Sequence, residues 1–364
     1  MKNARPALRS ITVNGRFLSQ PITGVQRYAY ELLTALDMLL SAGVLEPLPV
    51  TVLVPKDAAQ LPDWSSLRVR KIGHFTGQLW EQFDLPLFAR GSLLFTPCGG
   101  APLTHNRQVI TIHDAGPFST PQAYSGAYRN YYKTLQKILS HTATHVITVS
   151  QFSRQELIKH LRIPGEKISY TWLSGEHIFR HAADDAVLKK NALLPGRFVL
   201  GVGSKNSNKN LRGLIQASAQ PPLADVCFAI AGGSNRNVFA DTAHVSKGIK
   251  DLGFVTDGEL RALYENASCF VFPSLYEGFG LPPLEALTVG CPVVVSSAAS
   301  LPEVFGNAAV YCDPHSPEDI ARQISRVLQG EHGSRDSLIA YARGFTWQRC
   351  ARDTWSILLR ATHG

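Results

Sequence analysis

Two carboxylates eight positions apart, Glu277 and Glu285, frame the stretch richest in chemical groups, FVFPSLYEGFGLPPLE from Phe270 to Glu285. Phe270, Val271 and Phe272 form an aromatic and β-branched run that reads as a buried strand, and Pro273-Ser274 stops it. Gly278 and Gly280 flank Phe279, and Pro282 and Pro283 start a helix, where proline gives up only an N–H that has no helical partner. A strand, a glycine turn and a helix N-terminus make an anion site, because unpaired N–H groups and the helix dipole point at it. Carboxylates repel phosphate, so Glu277 and Glu285 read as acceptors from sugar hydroxyls. The ligand suggested is a sugar joined to a phosphate. Glu277 is alternatively a helix-entry carboxylate and Glu285 a surface residue. Against that, Leu284, Ala286 and Leu287 give Glu285 apolar neighbours, where a solvated carboxylate is unusual.

A second candidate follows the strand-like FVLGVG: Gly203-Ser204-Lys205-Asn206-Ser207-Asn208-Lys209-Asn210. Glycine lets the backbone approach a ligand, and Lys209 is a point charge for a diphosphate. The plainer alternative is a strand-to-helix turn capped by Asn208. His113-Asp114 closes the run VITIHD, where chemistry belongs in a parallel sheet; Asp114 either orients the imidazole or caps the next turn. Thr23-Gly24-Val25 precedes a helix, so Gly24 is either a ligand-binding turn or a helix-entry glycine. On that helix, Arg27 meets an acceptor phosphate or is simply a surface arginine. Tyr124, Tyr128, Tyr131 and Tyr132 with Arg129, Lys133 and Lys137 form an aromatic–basic segment, either core-facing or a face for lipid. The histidines are scattered and no Asp-x-Asp triplet occurs, so no metal and no other cofactor is expected.

These groups need a scaffold of strands ending in loops. Apolar runs predict strands at Ile11–Val13, Val50–Val54, Leu93–Thr96, Val109–Ile112 and His145–Val149, then Phe198–Val202, Val226–Ala231, Cys269–Phe272 and Val293–Ser296. Between them, Val25, Tyr28, Ala29, Leu32, Leu33 and Leu36 give one helical stripe, and further helices fall near Gly126–Ser140, Ser153–Leu161, Leu211–Ala217, Asp257–Asn266, Pro283–Thr288 and Pro317–Leu328. Repeated β-then-α order predicts an α/β fold of two doubly wound parallel sheets, covered on both faces, with ligands at the carboxyl ends of the strands. The expected domains are 1–180 and 190–344, with a last helix in 345–364 that packs on either domain.

The 364 residues suit two cores, and with 45% hydrophobic and 18% charged residues the chain is globular. No apolar run is long enough to span a membrane, and the charged N-terminus lacks an apolar signal core, so a cytoplasmic location is expected. The six cysteines are far apart, which predicts free thiols in a reducing compartment. Residues 1–180 hold 19 Lys/Arg against 11 Asp/Glu, and residues 181–364 hold 17 against 17, so the whole net charge of +8 sits in the first half. That half suits an anionic membrane surface or a phosphorylated acceptor; without a basic run interleaved with aromatics, nucleic acid is not expected.

The spacing Glu277-x7-Glu285 in EGFGLPPLEAL, with GCPVVVSSAASLPEVFGNAAVYCDP (Gly290–Pro314) and TDGELRALYENAS (Thr256–Ser268), resembles the retaining GT-B glycosyltransferases of family 4, glycosyl transferases group 1. Within it the chain is most similar to bacterial mannosyltransferases of O-antigen and exopolysaccharide synthesis. The resemblance implies an acceptor domain, a nucleotide-sugar domain and a last helix returning to the first. It implies transfer of mannose from GDP-mannose to a lipid-linked saccharide; a UDP-sugar transferase and a non-catalytic nucleotide-sugar scaffold are the alternatives. By the same resemblance, His113 and Glu277 flank the reacting sugar, and Gly278, Phe279, Gly280 and Leu281 hold sugar and diphosphate. Gly24, Gly203, Ser204, Asn208 and Lys209 belong to the diphosphate grip, Val255 lies by the base, and Glu285 accepts from the ribose. Ser204 stands where many members carry arginine, so one of two usual cations is absent. Peripheral contact at the inner face of the plasma membrane is the expected partner surface.

Overall fold

A computed structural model describes residues 8–203, 206–233 and 248–363. The chain divides into two compact units, one of residues 8–119, 125–173 and 347–363, the other of residues 120–124 and 174–346.

The first unit is a seven-stranded parallel sheet of β1 (Ile11–Asn14), β2 (Val50–Val54), β3 (Leu67–Lys71), β4 (Leu93–Thr96), β5 (Gln108–Thr111), β6 (His145–Thr148) and β7 (Ile168–Tyr170). Their order is β3-β2-β1-β4-β5-β6-β7. The second unit is a six-stranded parallel sheet of β8 (Phe198–Val202), β9 (Cys227–Ala231), β10 (Ile249–Gly253), β11 (Cys269–Phe272), β12 (Val293–Ser296) and β13 (Val310–Cys312), in the order β10-β9-β8-β11-β12-β13. In each sheet the order reverses once, between β1 and β4 and between β8 and β11. Neighbouring connections diverge there and open a crevice at the carboxyl ends of the strands.

The sequence placed the central strands and omitted β3, β7, β10 and β13. All four are edge strands. The predicted stripe on helix Gly24–Ser41 buries Tyr28, Ala29, Leu32, Leu33 and Leu36, while Val25 is only half-buried. The last helix, Trp347–His363, belongs to the first unit: it packs on helix Gly24–Ser41, and Trp355 Nε1 donates to the Glu46 carbonyl at 3.2 Å.

Two boundaries differ from the expected 1–180 and 190–344. Residues 174–180 group with the second unit, because the Ser174 hydroxyl donates to the Phe345 carbonyl at 2.8 Å and His177 is paired with Glu285. Residues 120–124 also group with it, through Asn208 Nδ2 donating to Thr120 Oγ1 at 2.9 Å. All six cysteines are free, and four are buried.

Candidate active site

In the second unit, Lys209 follows β8 and Glu277 follows β11, so the reversal of strand order brings them together. Lys209 Nζ lies 2.8 Å from Glu277 Oε1 and 5.0 Å from the centre of the Phe272 ring. Both side chains keep some solvent access, 25% for Lys209 and 13% for Glu277. Lys209 ends a 3-10 turn, Ser207–Lys209, that begins with the Asn206 side chain accepting from the Asn208 N–H at 2.9 Å. Asn206, and not Asn208, therefore caps the turn. The Asn208 carbonyl accepts from the Leu275 N–H at 2.7 Å, joining the Lys209 turn to the loop that carries Glu277.

Asn210 is the residue sequence reasoning missed here. Its backbone is left-handed (φ 52°), which asparagine tolerates, and it stands at the N-cap position of helix Leu211–Ser218 without a side-chain bond to that helix. Its Nδ2 donates to the carbonyls of Pro273 (3.0 Å) and Pro314 (2.7 Å), so one amide fixes the loops after β11 and β13 beside Lys209.

The Gly278–Leu281 turn is equally fixed. The Ser300 hydroxyl donates to the Glu277 carbonyl at 3.0 Å, and Phe279 is buried edge-on against Phe345, 6.2 Å between centres. Gly280 has φ +97°, and a Cβ there would lie 2.6 Å from Leu301 Cδ2. Glycine alone suits that position. Helix Leu281–Thr288 begins directly after it, with proline in its first turn.

Glu285 is 7% exposed and not a surface residue. His177 Nε2 lies 2.9 Å from its Oε1 and the Tyr264 hydroxyl donates to its Oε2 at 3.0 Å. Burial, then the Glu285 charge, pushes the Tyr264 pKa well up, so that hydroxyl stays a donor. Each carboxylate oxygen still has a lone pair to offer a ligand. Neither partner was visible in the sequence, being 108 and 21 positions away.

Gly203 and Val255 also belong to the second unit. Gly203 closes β8, its N–H donating to the Ala231 carbonyl at 3.0 Å; Ser204 lies outside the described residues. Val255 sits between β10 and helix Asp257–Asn266, whose start is set by reciprocal hydrogen bonds of Thr256 and Glu259.

Gly24 and His113 belong to the first unit. Gly24 opens helix Gly24–Ser41 after Thr23, and nothing lies within 4 Å of the space a Cβ would take there. His113 follows β5, edge-on to Tyr28 with 4.9 Å between ring centres, and its Nε2 is 3.2 Å from the Pro97 carbonyl. A carbonyl only accepts, so Nε2 carries the proton. Burial lowers the His113 pKa to about 4, against a smaller opposing pull from the Pro97 carbonyl. Near neutral pH the ring is thus uncharged, with Nδ1 as an acceptor. Asp114 accepts from the Gly116 N–H at 2.7 Å, as a turn cap does.

Among the described residues, no group of three His, Cys, Asp or Glu side chains is placed to hold a metal ion.

Residues 185–345 match the family model of glycosyl transferases group 1, and residues 22–171 match glycosyltransferase family 4. O-antigen chain mannosyltransferase B of Escherichia coli is 35% identical over 263 residues, covering 68% of this chain and 69% of that protein. The serotype-specific mannosyltransferase WbdA of Escherichia coli is 26% identical over 96% of this chain, which spans only 45% of that protein. Among solved structures, Anabaena Alr3699/HepE in complex with UDP and glucose superimposes with a TM-score of 0.71 at 17% identity, covering 96% of this chain and 99% of that one. At that identity the likeness concerns the fold, which is GT-B.

Proposed function

This chain belongs to the group 1 glycosyl transferases of glycosyltransferase family 4, and on that premise we propose that it moves mannose from GDP-mannose to a lipid-linked saccharide in surface-polysaccharide synthesis. The observation that carries the choice of sugar is the 35% identity with O-antigen chain mannosyltransferase B. The observation that carries the site is the Lys209–Glu277 pair at the reversal of the second sheet.

In this reading Lys209 and the main-chain N–H groups of Gly278–Leu281 hold the diphosphate, as fixed donors aimed at charge that grows as the bond breaks. The bond between the anomeric carbon and the phosphate oxygen breaks, the acceptor oxygen bonds to that carbon on the same face, and its proton leaves with the diphosphate. Glu277 positions the sugar and steadies the cationic carbon, and no covalent intermediate is formed. His113 accepts from a sugar hydroxyl through Nδ1. Glu285 accepts from the ribose through the lone pairs that His177 and Tyr264 leave, and the loop at Val255 lies by the base. In the first unit, the main-chain N–H at Gly24 is offered to the diphosphate or the acceptor, and no resident metal takes part.

Contact with an anionic membrane is part of the same reading. Among the described residues no helix is long and apolar enough to cross a bilayer. However, Phe75, Leu79, Phe83 and Leu87, four positions apart, are 47%, 56%, 62% and 53% exposed, a row suited to the lipid interface.

The test is thermal stabilisation by GDP, UDP, GDP-mannose and UDP-glucose, together with donor hydrolysis. A ligand at 100 times its dissociation constant adds about 2.7 kcal/mol to the folded state. A GDP-selective shift with GDP-mannose turnover is expected. A UDP-selective shift reassigns the donor, binding without any turnover favours a scaffold, and no shift with any nucleotide overturns the site.

A further inference from the structure

The first sheet has its own reversal, between β1 and β4, and a buried carboxylate occupies it. Glu81 is 1% exposed. Its Oε1 accepts from Asn14 Nδ2 at 2.7 Å and from Arg16 Nε at 3.2 Å; Asn14 ends β1 and Arg16 follows it. Its Oε2 lies over Gly100, in the loop after β4, where a Cβ would come within 2.4 Å of it. A glycine is required there for the carboxylate to fit. Among the described residues no hydrogen bond reaches Oε2, and none leaves the two terminal nitrogens of Arg16. Tyr131, 39% exposed, is close enough that the charges of Glu81 and Arg16 act on its hydroxyl.

The element that delivers Glu81 is unusual and firmly held. Trp80–Asp84 is a π-helical turn inside the helical segment that runs from Gly77 to Phe88, a departure that recurs at functional sites. Trp80 beside it is fully buried and donates from Nε1 to the Ile72 carbonyl at 3.0 Å. Asp84 Oδ2 accepts from the N–H groups of His74 (2.8 Å) and Phe75 (2.9 Å). Burial raises the Glu81 pKa, against the opposing pull of the Arg16 charge and the Asn14 hydrogen bond.

We propose that Glu81, Arg16 and Asn14 form the acceptor subsite of the first unit, with Glu81 Oε2 accepting from, and the Arg16 guanidinium donating to, adjacent hydroxyls of the acceptor saccharide. An acceptor oxygen beside guanidinium donors matches a vicinal diol, whose two hydroxyls both give and take hydrogen bonds. The exposed Tyr131 offers a ring for the sugar's apolar face. Glu81 binds and orients; the proton of the reacting hydroxyl still leaves with the diphosphate. This assignment rests on the glycosyl-transfer reading above.

The test uses the full chain with GDP-mannose as donor and octyl α-mannoside with its monodeoxy series as acceptors. Glu81→Gln should raise the acceptor KM at least tenfold and leave the donor KM, donor hydrolysis and the GDP thermal shift unchanged. The deoxy analogue that suffers most with the unaltered protein should suffer no further loss with Glu81→Gln, an equality that a merely structural role does not produce. Tyr131→Phe, at a partly exposed position, should leave the fold intact and keep the acceptor KM within twofold, whereas Tyr131→Ala raises it. An unchanged acceptor KM in Glu81→Gln, or acceptor and donor terms that move together, overturns the subsite. Absence of transfer and of donor hydrolysis by the unaltered protein instead overturns the parent reading.

Discussion

His177 Nε2 and Glu285 Oε1 meet at 2.9 Å inside the second unit, although 108 positions separate them in the chain. With the Tyr264 hydroxyl on Oε2, both carboxylate oxygens are fixed before any ligand arrives. Leucine at position 285 would strand two buried donors, each costing about 1–3 kcal/mol, whereas Tyr264→Phe should cost about 1 kcal/mol. Urea denaturation of both variants checks this order. Equal stabilities would show that Glu285 is not the anchor of that network.

Lys209→Met separates binding from stability. The Lys209–Glu277 pair is partly solvated, so its loss should change stability by less than about 1 kcal/mol. Loss of one charge-stabilising donor should lower turnover about 100-fold. A normal melting temperature with a collapsed rate is the expected pattern, read by calorimetry beside a donor-turnover assay.

Gly280→Ala tests the turn. At φ +97°, with Leu301 2.6 Å from a new Cβ, the variant should lose about 1–3 kcal/mol and most of its nucleotide-induced stabilisation. A fully stable, nucleotide-binding Gly280→Ala protein would mean that the turn relaxes without consequence.

Acid should weaken the first unit through two histidines held neutral. The His113 pKa is about 4 through burial, and that of His145 is about 4 through burial and then the Arg360 and Lys167 charges. The unfolded chain takes up these protons near pH 6.5, so it binds more protons than the native state between about pH 6.5 and pH 4. Stability should therefore fall as pH drops through that window and level off below it. The melting temperature measured from pH 7.5 to pH 4 should decline less steeply in His145→Gln.

The exposed row is tested by Phe83→Ser with Leu87→Ser. Both side chains are more than half exposed, so stability should stay within about 0.5 kcal/mol. Sedimentation with vesicles rich in anionic phospholipid should drop several-fold. Unchanged partition would remove this row from the membrane reading.

The central strands were legible because burial on both faces leaves continuous apolar runs such as Phe270–Phe272 and Val293–Val295. The edge strands were not. LRVRK at β3 and IKDLG at β10 carry the charges that sheet edges tolerate, and that pattern looks like a loop. At the site, Glu277, Gly280 and Lys209 declared themselves by local spacing. Glu81, His177 and Tyr264 did not, because each takes its role from a partner 67, 108 or 21 positions away, a distance over which no periodicity extends.

The last helix carries one more consequence. Trp347 lies beside Tyr28, 6.4 Å between ring centres, and the carbonyl of Thr362 accepts from the N–H of Leu8 at 2.9 Å. A chain leaves the ribosome from its N-terminus, and units usually fold in that order. Here the first unit is translated first yet lacks a wall until residues 347–363 have emerged, whereas the second has all its strands by then. The unit synthesised first is therefore the one completed last, and a nascent chain stalled before Trp347 presents an open apolar flank to chaperones.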